Sequence, residues 1–171
     1  MKIIYSKFYA TLVIMNIKIL VMDVDGTLTD GKIYIGPDGE IMKAFNVKDG
    51  LGIAKLHSNG IIPAIITGRK SDIVTFRANE LKIVDVYQGV DDKVEKLNKL
   101  TMKYNCSLSE IAYIGDDEND IECMELCGIN ACPSDAVEPV KKISDFACSK
   151  SGGDGAVREF IDHLISIKHS K

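Results

Sequence analysis

Apolar, β-branched runs of strand length recur along the chain, and the segments between them carry apolar residues at helical spacing. The predicted strands begin at Ile17 and then occupy residues 61–66, 84–88, 111–114, 129–132 and 146–148. The predicted helices span residues 48–59, 71–81, 91–104, 119–127 and 136–143, and a closing helix follows residue 155. Strands that alternate with helices in this way predict an α/β fold, a doubly wound parallel sheet of Rossmann-like type. The first run is almost wholly apolar, which indicates a strand buried on both faces.

The length and composition are typical of one globular domain. The 171 residues are enough to bury a substantial core, and 46% of them are hydrophobic against 27% charged. We expect residues 17–171 to form this domain and residues 1–16 to be an N-terminal extension. The apolar run within that extension, residues 8–15, is too short to span a bilayer. The sequence therefore predicts no association with a membrane.

Neither the charge nor the cysteine spacing adds a further function. A net charge of −4, without any run of lysine or arginine, gives no support for nucleic-acid binding. Five cysteines with no Cys-x-x-Cys pair do not make a disulfide framework. Cys123 and Cys127 lie one helical turn apart, but no second pair completes a metal site. Reduced thiols are the simpler interpretation, and they predict a cytoplasmic protein.

A β-hairpin is predicted directly after the first strand. Two short strands flank the turn Gly36-Pro-Asp-Gly39, within a segment that covers about residues 30–46. Because this hairpin follows the acids Asp23 and Asp25, it is a candidate flap over whatever they bind. An ordinary edge hairpin is the alternative interpretation.

Polar and charged residues stand where the predicted strands end, at the edge of a parallel sheet where ligands bind. Asp23 and Asp25 follow the first strand, and Thr67 follows the second. The other members of this group are Lys93, at the start of a helix, and, after the fourth strand, Asp116, Asp117 and Asp120. Carboxylates in this number suit a hard cation such as Mg²⁺. Hydroxyl, ammonium and backbone N–H groups beside them suit a phosphoryl group.

These residues also carry a family resemblance. The segments Asp23-Val-Asp-Gly-Thr27 and Gly115-Asp-Asp-x-x-Asp120, with Thr67 and Lys93 between them, resemble the four ordered motifs of the haloacid-dehalogenase superfamily of phosphotransferases. The resemblance extends from about residue 17 over the rest of the chain. It implies a Mg²⁺-dependent phosphomonoesterase that works through an aspartyl-phosphate.

The resemblance assigns a role to each motif residue. Asp23 is expected to be the nucleophile, and Asp25 the general acid and then the general base. Mg²⁺ is expected to bind the carboxylates of Asp23 and Asp116 and the backbone carbonyl of Asp25. Thr67 and Lys93 are expected to hold the phosphoryl oxygens and to neutralise the charge of the transition state.

Three further motif residues have structural alternatives. Asp117 and Asp120 are expected to orient Lys93 and the waters of the metal ion. Asp120 is alternatively an ordinary carboxylate in the first turn of a helix. Thr27 is a candidate for substrate binding through its backbone N–H, or else a turn or capping hydroxyl.

No insertion long enough for a cap domain separates the motifs, so the core is expected to be uncapped. Within the superfamily, the chain resembles the small tetrameric phosphatases of eight- and nine-carbon keto sugar acids, one of them a precursor of the lipopolysaccharide inner core. The shared segments are residues 45–52, 67–69 and 152–159, the last of them within a tail at about residues 150–171. The resemblance implies a homotetramer in which four flaps form an intersubunit barrel and a neighbouring subunit helps to close each site. It also implies a small-molecule partner, a sugar-acid phosphate.

Such a substrate carries a carboxylate as well as a phosphate, so cationic residues are expected at the mouth of the site. The candidate substrate-binding residues are Thr27, Lys48, Gly68, Arg69, Arg77 and Arg158. Lys48 is alternatively a solvated helix residue, and Arg77 alternatively pairs along its own helix. Nine-carbon relatives can carry an acid where this chain has Arg69. Arg69 therefore favours the eight-carbon acid, and a nonulosonate 9-phosphate is the alternative substrate.

Two alternatives are not enzymes. A signalling receiver also combines Asp, Thr, Lys and Mg²⁺ on a doubly wound sheet, but it lacks an acid two residues after the phosphorylated Asp. A structural relative without activity is expected to lose its motif acids. The pair Asp23 and Asp25 argues against both classes.

Overall fold

The computed structural model describes residues 16–169, and most of its strands belong to one parallel sheet. In chain order the strands are β1 (Ile19–Met22), β2 (Tyr34–Gly36), β3 (Gly39–Met42), β4 (Ile62–Ile66), β5 (Asp85–Tyr87), β6 (Ile111–Ile114), β7 (Ile129–Cys132) and β8 (Phe146–Ala147). The parallel sheet has the order β5-β4-β1-β6-β7-β8, so the chain builds first on one side of β1 and then on the other. β2 and β3 form a separate antiparallel hairpin.

Helices connect the parallel strands. They are α1 (Val47–Ser58), α2 (Asp72–Glu80), α3 (Lys93–Tyr104), α4 (Ile121–Leu126), α5 (Glu138–Ile143) and α6 (Ala156–Lys168). α1 and α6 pack closely, because Gly52 of α1 has no side chain. A Cβ atom there would lie 3.0 Å from Cδ of Arg158 on α6.

β1 is the centre of the sheet, with β4 on one side and β6 on the other. Its side chains alternate between two hydrophobic cores, as the two-residue period of a strand requires. Ile19 and Val21 face the core that contains residues of α3 and α4, while Leu20 and Met22 face the core that contains residues of α1 and α6. Burial of each such side chain is worth about 1.5–3 kcal/mol. The first strand is therefore buried on both faces.

The predicted doubly wound parallel sheet, without a cap domain and with a hairpin after its first strand, is confirmed. One predicted helix differs. Residues 119–127 do not form a single helix, because a 3₁₀ turn, Glu118–Asp120, precedes α4. The carboxylates of Asp117 and Asp120 accept hydrogen bonds from the backbone of this turn and hold it tight.

Two predictions concern the ends and the environment of the chain. The N-terminal extension, residues 1–16, lies outside the described residues except for Asn16, and the division into extension and domain stays a prediction. Across residues 16–169, no helix has both the length and the apolar character needed to cross a membrane. The five cysteines are free thiols, and three of them are buried.

Candidate active site

The carboxyl ends of β1 and β6 bring two of the predicted acids together. Asp23 follows β1, and its backbone N–H donates to the carbonyl of Ile114 at the end of β6 (3.0 Å). The chain then turns at Gly26, whose φ of +98° suits glycine. A Cβ atom on Gly26 would lie 2.0 Å from a carboxylate oxygen of Asp116. The glycine therefore allows Asp116 to approach the turn that carries both Asp23 and Asp25.

Three carboxylates meet at this point. One oxygen each from Asp23, Asp116 and Asp120 lies within 4.8 Å of the others. Burial, together with the negative charge of Asp120, raises the pKa of Asp23 to about 7. Burial, together with the charge of Asp23, likewise raises the pKa of Asp116 to about 7. Buried acids held this close favour a cation among them.

Lys93 supplies one positive charge to the cluster. It is the first residue of α3, after the capping residue Asp92, and its side chain is buried. Its ammonium donates to Asp23 (2.8 Å) and to Asp120 (2.7 Å). Burial alone disfavours the ammonium, but the two carboxylates outweigh it and raise the pKa of Lys93. A cation at the positive end of a helix dipole is unfavourable, so these carboxylates account for its place.

Asp120 supports the cluster rather than standing free within it. Besides Lys93, its carboxylate accepts a hydrogen bond from the hydroxyl of Tyr113 (2.7 Å) and one from the backbone N–H of Asp116 (3.2 Å). Tyr113 was missed by sequence reasoning, although a tyrosine inside the apolar strand β6 is a signal that its hydroxyl needs a buried partner. The oxygens of Asp120 are thus largely committed to protein donors.

The two predicted threonines come after β1 and after β4, which are neighbouring strands of the sheet. Thr67 is buried at the end of β4, where its N–H donates to Tyr87 (2.9 Å) and its carbonyl accepts from Val90 (3.2 Å). Gly68 follows it, with space for a Cβ atom. The hydroxyl of Thr27 donates to Asp116 (2.9 Å). This hydroxyl therefore orients a carboxylate of the cluster, and substrate binding by Thr27 stays a prediction.

A second group of charges surrounds Asp25. Its carboxylate contacts the ammonium of Lys43, which also lies 3.0 Å from Glu40. The guanidinium of Arg69 lies 3.7 Å from Asp25 and 3.8 Å from Glu40. We name these four residues the flap cluster. Sequence reasoning missed Glu40 and Lys43, and the signal available was an acid and a base three residues apart in the hairpin beyond Asp25.

Four other predicted residues have their contacts elsewhere in the described chain. The carboxylate of Asp117 caps the 3₁₀ turn through the N–H of Glu118 (2.7 Å). Arg77 pairs with Glu80 along α2 (2.6 Å), as the structural alternative had it. Arg158 pairs with Asp162 (2.7 Å) and donates to the carbonyl of Lys48 (3.4 Å). Arg158 and the exposed Lys48 share a surface groove between α1 and α6.

Comparison with known proteins agrees with this arrangement. A sequence profile of the haloacid dehalogenase-like hydrolases matches residues 70–161. The 3-deoxy-D-manno-octulosonate 8-phosphate phosphatase of Yersinia pestis is 41% identical over 150 residues, which cover 88% of this chain and 80% of that protein. The phosphatase of the same name from Escherichia coli K12 is 42% identical over the same shares. The chain belongs to the haloacid dehalogenase-like hydrolase family.

Solved structures share the fold over nearly the whole chain. The phosphatase from Yersinia pestis has a TM-score of 0.90 at 39% identity and covers 94% of this chain and 86% of its own. The phosphatase from Moraxella catarrhalis has a TM-score of 0.89 at 42% identity, and the match covers 93% of this chain and 91% of that one. That structure was solved with a magnesium ion, a phosphate ion and a molecule of the sugar acid, KDO. The predicted family and the predicted class of enzyme, a phosphatase, are confirmed.

Proposed function

We propose that this chain hydrolyses 3-deoxy-D-manno-octulosonate 8-phosphate to the sugar acid and inorganic phosphate. The observation that carries the proposal is the meeting of Asp23, Lys93 and Asp116 at one edge of the sheet, with Asp25 two residues beyond Asp23. Relatives named for this reaction are 41–43% identical over 88% of the chain. A related structure was solved with magnesium, phosphate and KDO, which are the ion and the products of such a reaction.

Mg²⁺ is the proposed cofactor, and the donor set fits it. Burial and mutual repulsion raise the pKa values of Asp23 and Asp116 to about 7, which a divalent cation would reverse. The carboxylates of these two acids and the backbone carbonyl of Asp25 would hold the ion, while Asp120 stays with its protein donors. Bound there, Mg²⁺ neutralises negative charge on the phosphoryl group.

In the proposed first step, a carboxylate oxygen of Asp23 forms a bond to phosphorus. The bond between phosphorus and the sugar oxygen breaks, and Asp25, as a carboxylic acid, gives its proton to that oxygen. The products are an aspartyl-phosphate, the free sugar acid and an ionised Asp25. The ammonium of Lys93, 2.8 Å from Asp23, lies where it would neutralise the oxygens of the moving phosphoryl group.

In the proposed second step, Asp25 accepts a proton from water as the water oxygen bonds to phosphorus. The bond between phosphorus and Asp23 breaks, so that inorganic phosphate leaves and Asp23 is again a carboxylate. Thr67, buried at the end of β4, is the proposed donor to the phosphoryl oxygens. Both acids thereby return to their starting state.

Arg69 is the proposed contact for the substrate carboxylate. Its side chain is 47% exposed and lies in the flap cluster, so a guanidinium is available at the entrance, next to Asp25. A guanidinium pairs well with a carboxylate, whereas an acid at this position would repel it. Both candidate substrates carry a carboxylate, and it is the acid that nine-carbon relatives can have at this position that makes Arg69 favour the eight-carbon acid over a nonulosonate 9-phosphate.

The experiment measures the turnover of a panel of sugar-acid phosphates in the presence of Mg²⁺, with the release of inorganic phosphate as the readout. We expect the highest kcat/KM for the eight-carbon 8-phosphate. A clear preference for a nonulosonate 9-phosphate would transfer the proposal to that substrate and contradict the choice of substrate drawn from Arg69. Turnover that persists after chelation of Mg²⁺ would contradict the proposed cofactor.

A homotetramer is the proposed assembly. The hairpin exposes large apolar side chains at Ile35, Ile41 and Met42, and α1 exposes Val47 and Leu51. Exposed apolar residues clustered in this way are typical of protein interfaces. Light scattering coupled to size-exclusion chromatography measures the assembly, and a monomer with full activity would contradict it.

A further inference from the structure

Lys43 is a buried lysine that the predicted machinery does not include. It directly follows β3, at the foot of the hairpin, and its side chain is 1% exposed. An ammonium group is costly to bury unless it is paired. Lys43 is paired twice, with Asp25 and with Glu40.

The two oxygens of Asp25 face cations from two different elements. Lys43, from the hairpin, contacts Oδ1, and Arg69, from the end of β4, lies 3.7 Å from Oδ2. Glu40 faces the same two cations and accepts a hydrogen bond from the hydroxyl of Ser71. The flap cluster is therefore a balanced set of two acids and two bases that fixes the Asp25 carboxyl group on both sides.

The foot of the hairpin is itself held in place. Phe45 packs against the hydrophobic core, and Asn46 accepts from the N–H of Lys48 as the cap of α1. The side chain of Asn46 also donates to the carbonyl of Gly153 (3.2 Å). Lys43 thus projects from an anchored segment, in contrast to the exposed strands of the hairpin.

We propose that Lys43 is a positioning residue that holds the carboxyl group of Asp25 toward the oxygen of the leaving group. The inference rests on the proposed function, in which Asp25 gives its proton to that oxygen. Lys43 does not itself transfer a proton. Without it, the carboxyl group can rotate away, and misplacement of a catalytic group by about 1 Å costs up to about 100-fold in rate.

The test compares two phosphate esters whose leaving groups differ in their need for a proton. Phenol has a pKa of about 10, like the tyrosine side chain, and needs protonation far more than the more acidic p-nitrophenol. kcat/KM reports the steps up to departure of this group. For Lys43→Met we expect kcat/KM for phenyl phosphate to fall about 10-fold more than that for p-nitrophenyl phosphate. Lys43→Arg should recover most of the kcat/KM for phenyl phosphate that Lys43→Met loses.

Lys32→Met is the matched control, because Lys32 is an exposed lysine near the start of the hairpin and pairs only with Asp30 in the described contacts. Lys32→Met should leave kcat/KM unchanged for both esters. Equal losses on both esters in Lys43→Met would indicate a merely structural role and overturn the inference, as would no loss at all. If Lys43→Met does not fold, as judged from its thermal transition, Glu40→Gln takes its place. This variant should also lose more kcat/KM for phenyl phosphate than for p-nitrophenyl phosphate, by a smaller factor. Equal losses on the two esters in Glu40→Gln would overturn the inference.

Asp25→Asn on the same two esters separates this inference from the function it rests on. If Asp25→Asn shows no dependence on the leaving group, the proposed role of Asp25 fails and the inference with it. If Asp25→Asn shows the dependence and Lys43→Met does not, only the role of Lys43 fails.

Discussion

Asp23 and Asp25 are two residues apart, yet they lie in surroundings of different origin. Asp23 is 6% exposed and contacts a lysine from the start of α3 and acids from beyond β6, which are parts of the central fold. Asp25 is less buried, and its partners include Lys43 from the hairpin and Arg69 from the loop after β4. One acid therefore depends on the packed sheet, and the other partly on an appended hairpin.

The difference teaches how one turn can serve two tasks. In the proposed mechanism the phosphoryl group, which is common to all phosphomonoesters, is handled by residues at the edge of the packed sheet. The leaving group differs between substrates, and in the same mechanism it is handled by Asp25, beside the hairpin. A loss of Asp23 should therefore affect every substrate, whereas a loss in the flap cluster should depend on which substrate is used.

Asp23→Asn is expected to have the largest effect, since it removes the proposed nucleophile. Turnover of both a sugar-acid phosphate and p-nitrophenyl phosphate should fall by about 10⁴-fold or more. Steady-state kinetics measure this, and Asp38→Asn, at the hairpin turn, is the control that should stay active. Activity within tenfold of the parent enzyme would rule out the covalent route.

Arg69→Met should affect the sugar-acid phosphate much more than p-nitrophenyl phosphate. We expect kcat/KM for the eight-carbon sugar-acid phosphate to fall by about 10- to 100-fold, chiefly through KM, because a charge-assisted contact with its carboxylate is lost. For p-nitrophenyl phosphate, which has no carboxylate, the change should be small. Lys70→Met, next along the chain and exposed, is the control. An equal fall on both substrates would assign Arg69 to the phosphoryl group instead.

The acids around Asp23 predict a stability that depends on pH and on metal. Since the pKa values of Asp23 and Asp116 are raised from 3.8 to about 7, the metal-free folded chain keeps two protons that the unfolded chain loses. These acids favour the folded state most below about pH 4, and their contribution is lost as the pH rises to about 7.

In thermal unfolding, the metal-free protein should lose stability from these acids between about pH 5 and 7.5, and excess Mg²⁺ should raise Tm more at the higher pH. Asp116→Asn should reduce that difference. A Tm that does not respond to Mg²⁺ at either pH would contradict the metal site.

Tyr113→Phe should have the smallest effect. It removes one hydrogen bond to the buried carboxylate of Asp120, so the free energy of unfolding should fall by about 1–2 kcal/mol in urea denaturation. Turnover should stay within a few-fold, because Lys93 keeps both of its carboxylates. Tyr87→Phe, whose hydroxyl donates to Asp85 (3.3 Å), is the comparison away from the acids. If the loss of turnover, expressed as a free energy, exceeds the loss in the free energy of unfolding, Tyr113 has a direct part in the reaction.

The fold could be predicted from the sequence almost completely, because its signals are local. The predicted strands over residues 111–114 and 129–132 agree with β6 and β7 to the residue. The helix predicted over residues 119–127 failed for a local reason too, since Asp117 and Asp120 compete for backbone N–H groups at its start. Apolar periodicity alone does not register that competition.

The site could be predicted only as far as the family motifs extend. The partners of Asp25 depend on where the hairpin folds back, and no periodicity relates residue 43 to residue 25. Cationic character does not fix the position of a side chain either. Arg77 and Arg158 pair with acids on their own helices, where the spacing of three and four residues makes such pairs easy to form.

Lys93 follows Asp23 by 70 positions in the chain, and this separation has a consequence for biosynthesis. At a translation rate of about 5–20 residues per second, the ribosome releases the acid several seconds before its lysine. β1 waits longer still, because one of its edges stays unpaired until β6 emerges. During that interval one edge of this fully apolar strand has no hydrogen-bonded neighbour. β1 therefore gains its second hydrogen-bonded neighbour only after more than a hundred residues of the chain have been made.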